Sequence, residues 1–302
     1  MTIGDSVVDL IISVPHFPVE NEETVQSEGM QRQLGGSSNF LIMSSRLGLK
    51  AGVIDHLGDD EYGNFYRENL SREGVDVSGL SPIIGAQTAH CICMVDQMGN
   101  HSYISFPGAT YSLSSEYIDH DYIKDSKALY LSGYSLTKQP IREATLTALS
   151  IAVENQLRVY FDPSPQIAHI PSETLQHVID HSNGVFINER ELSILASKLP
   201  QLDLNDQRGF TALKQGEKGC TIIMEGNHHM YPAQKVEIVD TTGAGDVFNA
   251  AFIYGRINDW PLPRCASFAN KLAALKVQRL GAGLNVPTRD QAQRLLDEVL
   301  PV

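Results

Sequence analysis

The run Asp240-Thr241-Thr242-Gly243-Ala244-Gly245-Asp246 holds the residue types and spacing that most directly suggest chemistry. It closes a strand-like segment, 236–239, and opens a helix-like apolar stretch, Val247-Phe248-Asn249-Ala250-Ala251-Phe252. Small residues at 243–245 let main-chain N–H groups approach a ligand closely, and at a helix N-terminus those donors lack intrahelical partners, so Gly243, Ala244 and Gly245 can cradle an anion. Asp246 then falls in the first helical turn, where the positive end of the dipole favours its ionised form and leaves it an acceptor for a hydroxyl proton. Amides for developing phosphate charge, next to a base for an alcohol, suit phosphoryl transfer to a hydroxyl. Gly243 and Asp246 alone would read as a capping aspartate after a glycine turn.

Other candidates are weaker one by one. Asp9 follows the first short strand and Asn39 follows Gly35-Gly36; both types hydrogen-bond the vicinal hydroxyls of a sugar or polyol. Asn188-Glu189-Arg190-Glu191 by itself is a helix start with carboxylates near the positive end, and Lys214-Gln215-Gly216-Glu217-Lys218-Gly219 is a surface turn. There is no G-x-x-x-x-G-K-[ST] loop and no strand-linked G-x-G-x-x-G. His177 and His181 have zinc-pair spacing but no glutamate after the first histidine and no evident third ligand, so they read as a solvated helix face. His228-His229 is expected in a hairpin turn with no chemical role. Cys91, Cys93, Cys220 and Cys265 match neither a zinc nor a disulfide spacing and read as reduced and structural.

The elements that must position these residues alternate between apolar β-branched runs and amphipathic stretches, the pattern of a mostly parallel sheet covered on both faces. Strands are expected at 52–55, 128–132, 158–162, 184–187 and 220–224, and helices at 61–73 and 141–155. Ligands gather at the C-terminal ends of such strands. Two segments, 10–34 and 87–106, break the rhythm with alternating polar and apolar residues, the second around a Met98-Gly99-Asn100 turn. They predict antiparallel hairpins forming a small sheet placed as a lid over a single α/β domain, 1–302. The 302 residues are 42% hydrophobic, and 36 acidic against 23 basic residues give a net charge of -13, which disfavours nucleic acid and anionic membranes. With no spanning segment and no basic leader, a cytoplasmic location is expected. Only Met1-Thr2-Ile3 precede Gly4, so a short first strand is expected, with a few residues missing from the reading frame.

The chain as a whole resembles the ribokinase-like (PfkB) carbohydrate kinase family. The likeness rests on motifs in the family's order: Gly4-Asp5-Ser6-Val7-Val8-Asp9, Gly35-Gly36-Ser37-Ser38-Asn39, Gly58-Asp59-Asp60-x-x-Gly63, Asp162-Pro163-Ser164-Pro165, Asn188-x-x-Glu191, 214–219, 240–246 and Gly281-Ala282-Gly283. It implies a three-layer α/β/α sandwich with a small β-sheet lid, and an ATP-dependent kinase of a sugar or polyol. In that scheme Asp246 is the base, the 243–245 amides hold the transferring phosphoryl group, and Asp9, Gly35, Gly36 and Asn39 line the acceptor pocket. Asn188 and Glu191 organise Mg²⁺ and its waters. Lys214, Gly216, Gly219, Thr242, Asn270 and Gly281 border the nucleotide. Many relatives hold a monovalent cation beside the 240–246 loop, which makes Asp240 a candidate ligand and potassium a candidate activator. Leu34 departs from the family at the earlier glycine's position. Ser37 and Ser38 stand where some relatives have a lysine, which favours an acceptor without a phosphate. A nucleoside acceptor stacking on Tyr103, Phe106 or Tyr134 is an alternative, and a ligand-binding relative without activity is another. The exposed lid edges imply a homodimer.

Overall fold

Alternation along the strands decides which face each side chain buries. In Ala128–Ser132, Leu129 and Leu131 turn to one side and Tyr130 to the other; in Arg158–Asp162, Val159 and Phe161 share the first side and Tyr160 the second. Both sides are fully buried, so helices must cover each.

The computed structural model describes residues 1–98, 100–205 and 209–299. Its first part runs β1 (Thr2–Ile3), β2 (Ser6–Ser13), β3 (Gly29–Gly36), α1 (Ser38–Arg46), β4 (Val53–Gly58), α2 (Glu61–Arg72), β5 (Leu80–Ile83), β6 (His90–Val95) and β7 (His101–Phe106). There follow α3 (His120–Lys124), β8 (Ala128–Ser132), α4 (Ile141–Glu154), β9 (Arg158–Asp162), α5 (Ser172–Asp180), β10 (Gly184–Asn188) and α6 (Glu189–Lys198). The last part holds β11 (Phe210–Lys214), β12 (Cys220–Met224), β13 (Asn227–Tyr231), α7 (Ala244–Ile257), α8 (Leu262–Val277) and α9 (Arg289–Val299).

Nine strands form one sheet in the order β13-β12-β11-β10-β9-β8-β1-β4-β5. It is parallel from β11 to β5 and ends in the antiparallel hairpin β12–β13. One face packs Tyr130, Tyr160 and Phe186 against α1, α2, α7 and α8. The other packs Leu131, Phe161 and Ile187 against α4, α5 and α6. This is the three-layer arrangement expected. A second sheet has the order β3-β2-β6-β7: the two predicted hairpins are each antiparallel, and β2 and β6 join them side by side in parallel. The first hairpin begins at Ser6, before the expected 10–34.

Two further expectations change. Segment 236–239 forms no strand: Ile238 and Val239 are exposed, and the Val239 and Asp240 N–H groups both donate to Val277 O, at 2.7 and 3.1 Å. Extended backbone there is held by the end of α8 rather than by a ladder. His228 and His229 lie in β13, because the tight turn is made one step earlier by Glu225 and Gly226, both at positive φ. Of the Met98-Gly99-Asn100 turn, Gly99 lies outside the described residues; Met98 and Asn100 N–H both donate to Asp96 Oδ1.

Candidate active site

The 243–246 bend stands at the head of α7, whose N-cap is Gly243 with φ 75°. A Cβ there would be strained and would stand 3.2 Å from the Asn39 side chain, so glycine is required twice over. Ala244 N–H donates to Thr241 O at 3.1 Å and is therefore already satisfied, contrary to the expected role of its amide. Gly243, Gly245 and Asp246 N–H have no acceptor among the described residues. Three free donors at a helix N-terminus make an anion site. A Cβ on Gly245 would lie 3.5 Å from Lys214 Nζ, so an ammonium stands beside the same amides.

Asp246 Oδ2 accepts from Asn39 Nδ2 at 3.0 Å, and Oδ1 accepts no hydrogen bond among the described residues. Burial and the nearby Asp162 push its pKa up to about 6, while Asn39 and Lys214 pull it down. A carboxylate with that value is ionised at neutral pH and still basic enough to take a proton. Asn39 lies in the first turn of α1, and its Oδ1 accepts from Gly283 N–H at 2.6 Å. It therefore fixes the base.

Asp9 sits on β2 opposite Gln33 and Cys91 of its neighbouring strands. Burial raises its pKa to about 7. A Cβ at Gly35 would overlap the Asp9 carboxylate, and one at Gly36 (φ 55°) would overlap the Asp5 carbonyl. The double glycine thus lets β3 pass beneath two carboxyl-bearing residues. Asp5, itself at φ 66° and 8% exposed, has its pKa raised first by burial and then by Asp246.

The last residues of β8 to β11 are Ser132, Asp162, Asn188 and Lys214, a row of polar groups along the C-terminal edge of the sheet. Lys214 Nζ pairs with Asp162 Oδ2 at 2.6 Å, and fully buried Asn249 donates to the same oxygen at 2.6 Å and to Tyr130 OH at 3.1 Å. Burial opposes the charge on Lys214, but Asp162 and Glu191 outweigh it and raise its pKa. Asn188 and Glu191 form a capping box at the start of α6, Glu191 N to Asn188 Oδ1 at 2.8 Å and Asn188 N to Glu191 Oε2 at 2.9 Å. Glu191 is 4% exposed, and burial and Asp162 raise its pKa. Two carboxylates against one ammonium leave a local excess of negative charge that fits a magnesium ion bound through water.

Asp240 Oδ1 accepts from Thr242 N and Oγ1, and its Oδ2 from Gly281 N at 2.7 Å. Burial would raise its pKa, yet those bonds, with Lys276 nearby, hold it below the usual carboxylate range. A monovalent cation fits poorly here: Lys276 Nζ donates to Asp240 O and Arg279 O, so a side-chain ammonium already sits among the carbonyls. Asn270 donates to Tyr231 O at 2.8 Å, tying α8 to β13 at the wall of a cleft of about 470 Å³. Gly216 and Gly219 adopt positive φ in a turn that follows β11, and a Cβ on Gly219 would overlap Tyr231 O; Lys214, expected in that surface turn, instead ends the strand.

Sequence reasoning named Asp5 only as part of the 4–9 motif and gave no role to Asn249 or Lys276. Their signal was a polar residue inside an apolar pattern, Asn249 within 247–252 and Lys276 within 272–277.

A family model described as pfkB family carbohydrate kinase matches residues 1–289. The chain is 27% identical to a 5-dehydro-2-deoxygluconokinase of Halalkalibacterium halodurans, with 99% of this chain and 94% of that protein covered. It is 28% identical to a ribokinase of Bacillus subtilis, with 97% and 98% covered. Among solved structures, an uncharacterized sugar kinase from Pyrococcus horikoshii in complex with ATP aligns with a TM-score of 0.86 at 25% identity over 99% of both chains.

Proposed function

Because the chain belongs to the pfkB family of carbohydrate kinases, we propose that it transfers the γ-phosphoryl group of ATP to a hydroxyl of an uncharged sugar or polyol, with Asp246 as general base. The observation that carries this is the pairing of Asp246, held by Asn39, with the unaccepted N–H groups of Gly243, Gly245 and Asp246 itself. The acceptor hydroxyl gives its proton to Asp246 Oδ1 as its oxygen bonds to the γ-phosphorus; the bond from that phosphorus to the β–γ bridging oxygen breaks, and ADP leaves. The amides and the Lys214 ammonium take the charge on the travelling group. Magnesium, bound to the nucleotide phosphates, would screen their charge, with Asn188 and Glu191 ordering its waters.

The charge around the acceptor side argues for a neutral substrate. Asp5, Asp9 and Asp246 bring carboxyl groups together, and the nearby Lys214 ammonium already serves Asp162 and the travelling phosphoryl group. A second phosphate on the substrate would meet the Asp246 charge, and among the described residues no cation acts on Asp5 or Asp9 to offset it. We take the β3-β2-β6-β7 sheet, which carries Asp9 and Gly35, as the lid that excludes water and so favours transfer over hydrolysis. Its outer strands leave Met30, Ile104 and Phe106 exposed, which supports pairing of two lids in a homodimer; mass measurement in solution tests that.

A panel of pentoses, hexoses, inositols, nucleosides and sugar phosphates, read by ADP release, tests the function. Turnover with an uncharged sugar or polyol is expected. Turnover confined to nucleosides or to sugar phosphates would replace the acceptor class, and binding of ATP and sugar without ADP release from any acceptor would make the chain a non-catalytic relative.

A further inference from the structure

Lys276 is 0% exposed in the last turn of α8, yet among the described residues its ammonium makes no ion pair with a carboxylate. A buried charge is costly unless polar groups replace the water it has lost. Main-chain oxygens do so here: Nζ donates to Arg279 O at 3.2 Å and to Asp240 O at 3.4 Å. Burial lowers the pKa of Lys276, while the Asp240 charge beyond contact range and the negative end of α8 favour its protonated form. Carbonyl oxygens standing in for a hydration shell are how proteins hold potassium.

We propose that Lys276 is a built-in monovalent cation: its ammonium fills the place of a potassium ion beside the phosphate-binding bend and makes the protein independent of one. The contacts say what it would do. Asp240 O and Arg279 O belong to the two segments that flank the bend, and the same segments are joined by Gly281 N to Asp240 Oδ2 and by Val239 and Asp240 N to Val277 O. From there Gly283 N reaches Asn39, and Asn39 reaches Asp246. Lys276 touches neither substrate nor base. It is a positioning residue at one end of a continuous path to the base.

The activity part of the test rests on the kinase reading; the melting part does not. Wild type, Lys276→Ala and Lys276→Met are compared in potassium, ammonium and choline chloride at equal ionic strength, by ADP release and, without substrates, by thermal melting. Wild type is expected to keep its melting temperature and to vary by less than about twofold in rate across the salts, since nothing in it awaits a cation. In choline, Lys276→Ala should be at least about tenfold slower and melt lower, because two buried carbonyls lose their shared donor. Potassium or ammonium should restore both properties to the alanine variant, where the smaller side chain leaves room for an ion, and should not restore Lys276→Met, where the space is filled. A wild-type rate or melting temperature raised by potassium overturns the proposal. So does an alanine variant that equals wild type in choline, or one equally impaired in every salt. Should no acceptor yield ADP, the kinase reading fails and melting alone decides on Lys276.

Discussion

Replacing Asn39 with alanine should move the acid limb of the pH–rate profile to higher pH. In the free enzyme Asp246 titrates near 6, with its Oδ2 accepting the Asn39 amide at 3.0 Å. That donor favours the charged carboxylate, so its loss raises the pKa. Hydrogen bonds to charged groups contribute about 1.5–3 kcal/mol, and one pKa unit corresponds to about 1.36 kcal/mol, which gives a shift of about 1 to 2 units. Water reaching the half-buried carboxylate replaces part of the loss, so about one unit is expected. The base must be unprotonated to work, so activity falls as pH drops through its pKa. At pH 6 the variant should have about a fivefold smaller active fraction than wild type, a deficit that vanishes above about pH 8.5. The assay is kcat/KM for the acceptor against pH, measured by ADP release, because that ratio reports groups of the free enzyme. Any contribution of Asn39 to acceptor binding lowers the plateau without moving the limb. Asp9, whose pKa is near 7, titrates alike in both proteins. An unmoved limb, or one displaced to lower pH, would refute the assignment of Asp246 as the base that Asn39 holds.

Further outcomes follow from single contacts. Asp246→Asn should lower kcat at least ~10²-fold and leave ATP binding by calorimetry nearly unchanged, given general-base contributions of about 10² to 10⁴; turnover near wild type would end the base assignment. Gly35→Ala places a Cβ on the Asp9 carboxylate, and overpacking of about 1–3 kcal/mol should raise the acceptor KM about tenfold or more with the ATP KM unaltered. An unchanged acceptor KM would remove Asp9 from the pocket. Phe161→Ala, at a 0% exposed position between β9 and the α4–α6 layer, should cost about 3–5 kcal/mol in urea unfolding with the m-value unchanged; a cost under about 1 kcal/mol would mean that this layer is not the packed core described.

What the sequence disclosed depended on how local its cause was. Strands 128–132 and 158–162 announce themselves as short apolar runs because both of their faces are buried, and the helix at 61–72 through its helical period because it buries one face. The 240–246 bend was legible because small residues, a helix start and an acid lie within seven positions. Segment 236–239 misled: its valines and isoleucine look like a strand, but it joins no ladder among the described residues, and Val277 at the end of α8 accepts from Val239 and Asp240 N. Phe210–Lys214 was unremarkable as a sequence, yet β10 pairs with it over five residues and its last residue supplies the Lys214 ammonium. Asn39 bonding to Asp246 spans 207 positions, and the Lys214–Asp162 pair 52. Such partners are chosen by the packing of layers, which no local pattern records. Lys276 is the plainest case, since a lysine on an apolar helix ordinarily reaches for solvent, and only the fold turns it onto two carbonyls.

The most direct test of the central claim is a crystal structure with a non-hydrolysable ATP analogue and the acceptor found by the panel. The account predicts γ-phosphate oxygens about 3 Å from the N atoms of Gly243, Gly245 and Asp246, and the reacting hydroxyl within hydrogen-bond reach of Asp246 Oδ1. A terminal phosphate bound away from those amides, or a hydroxyl directed to another side chain, would contradict it.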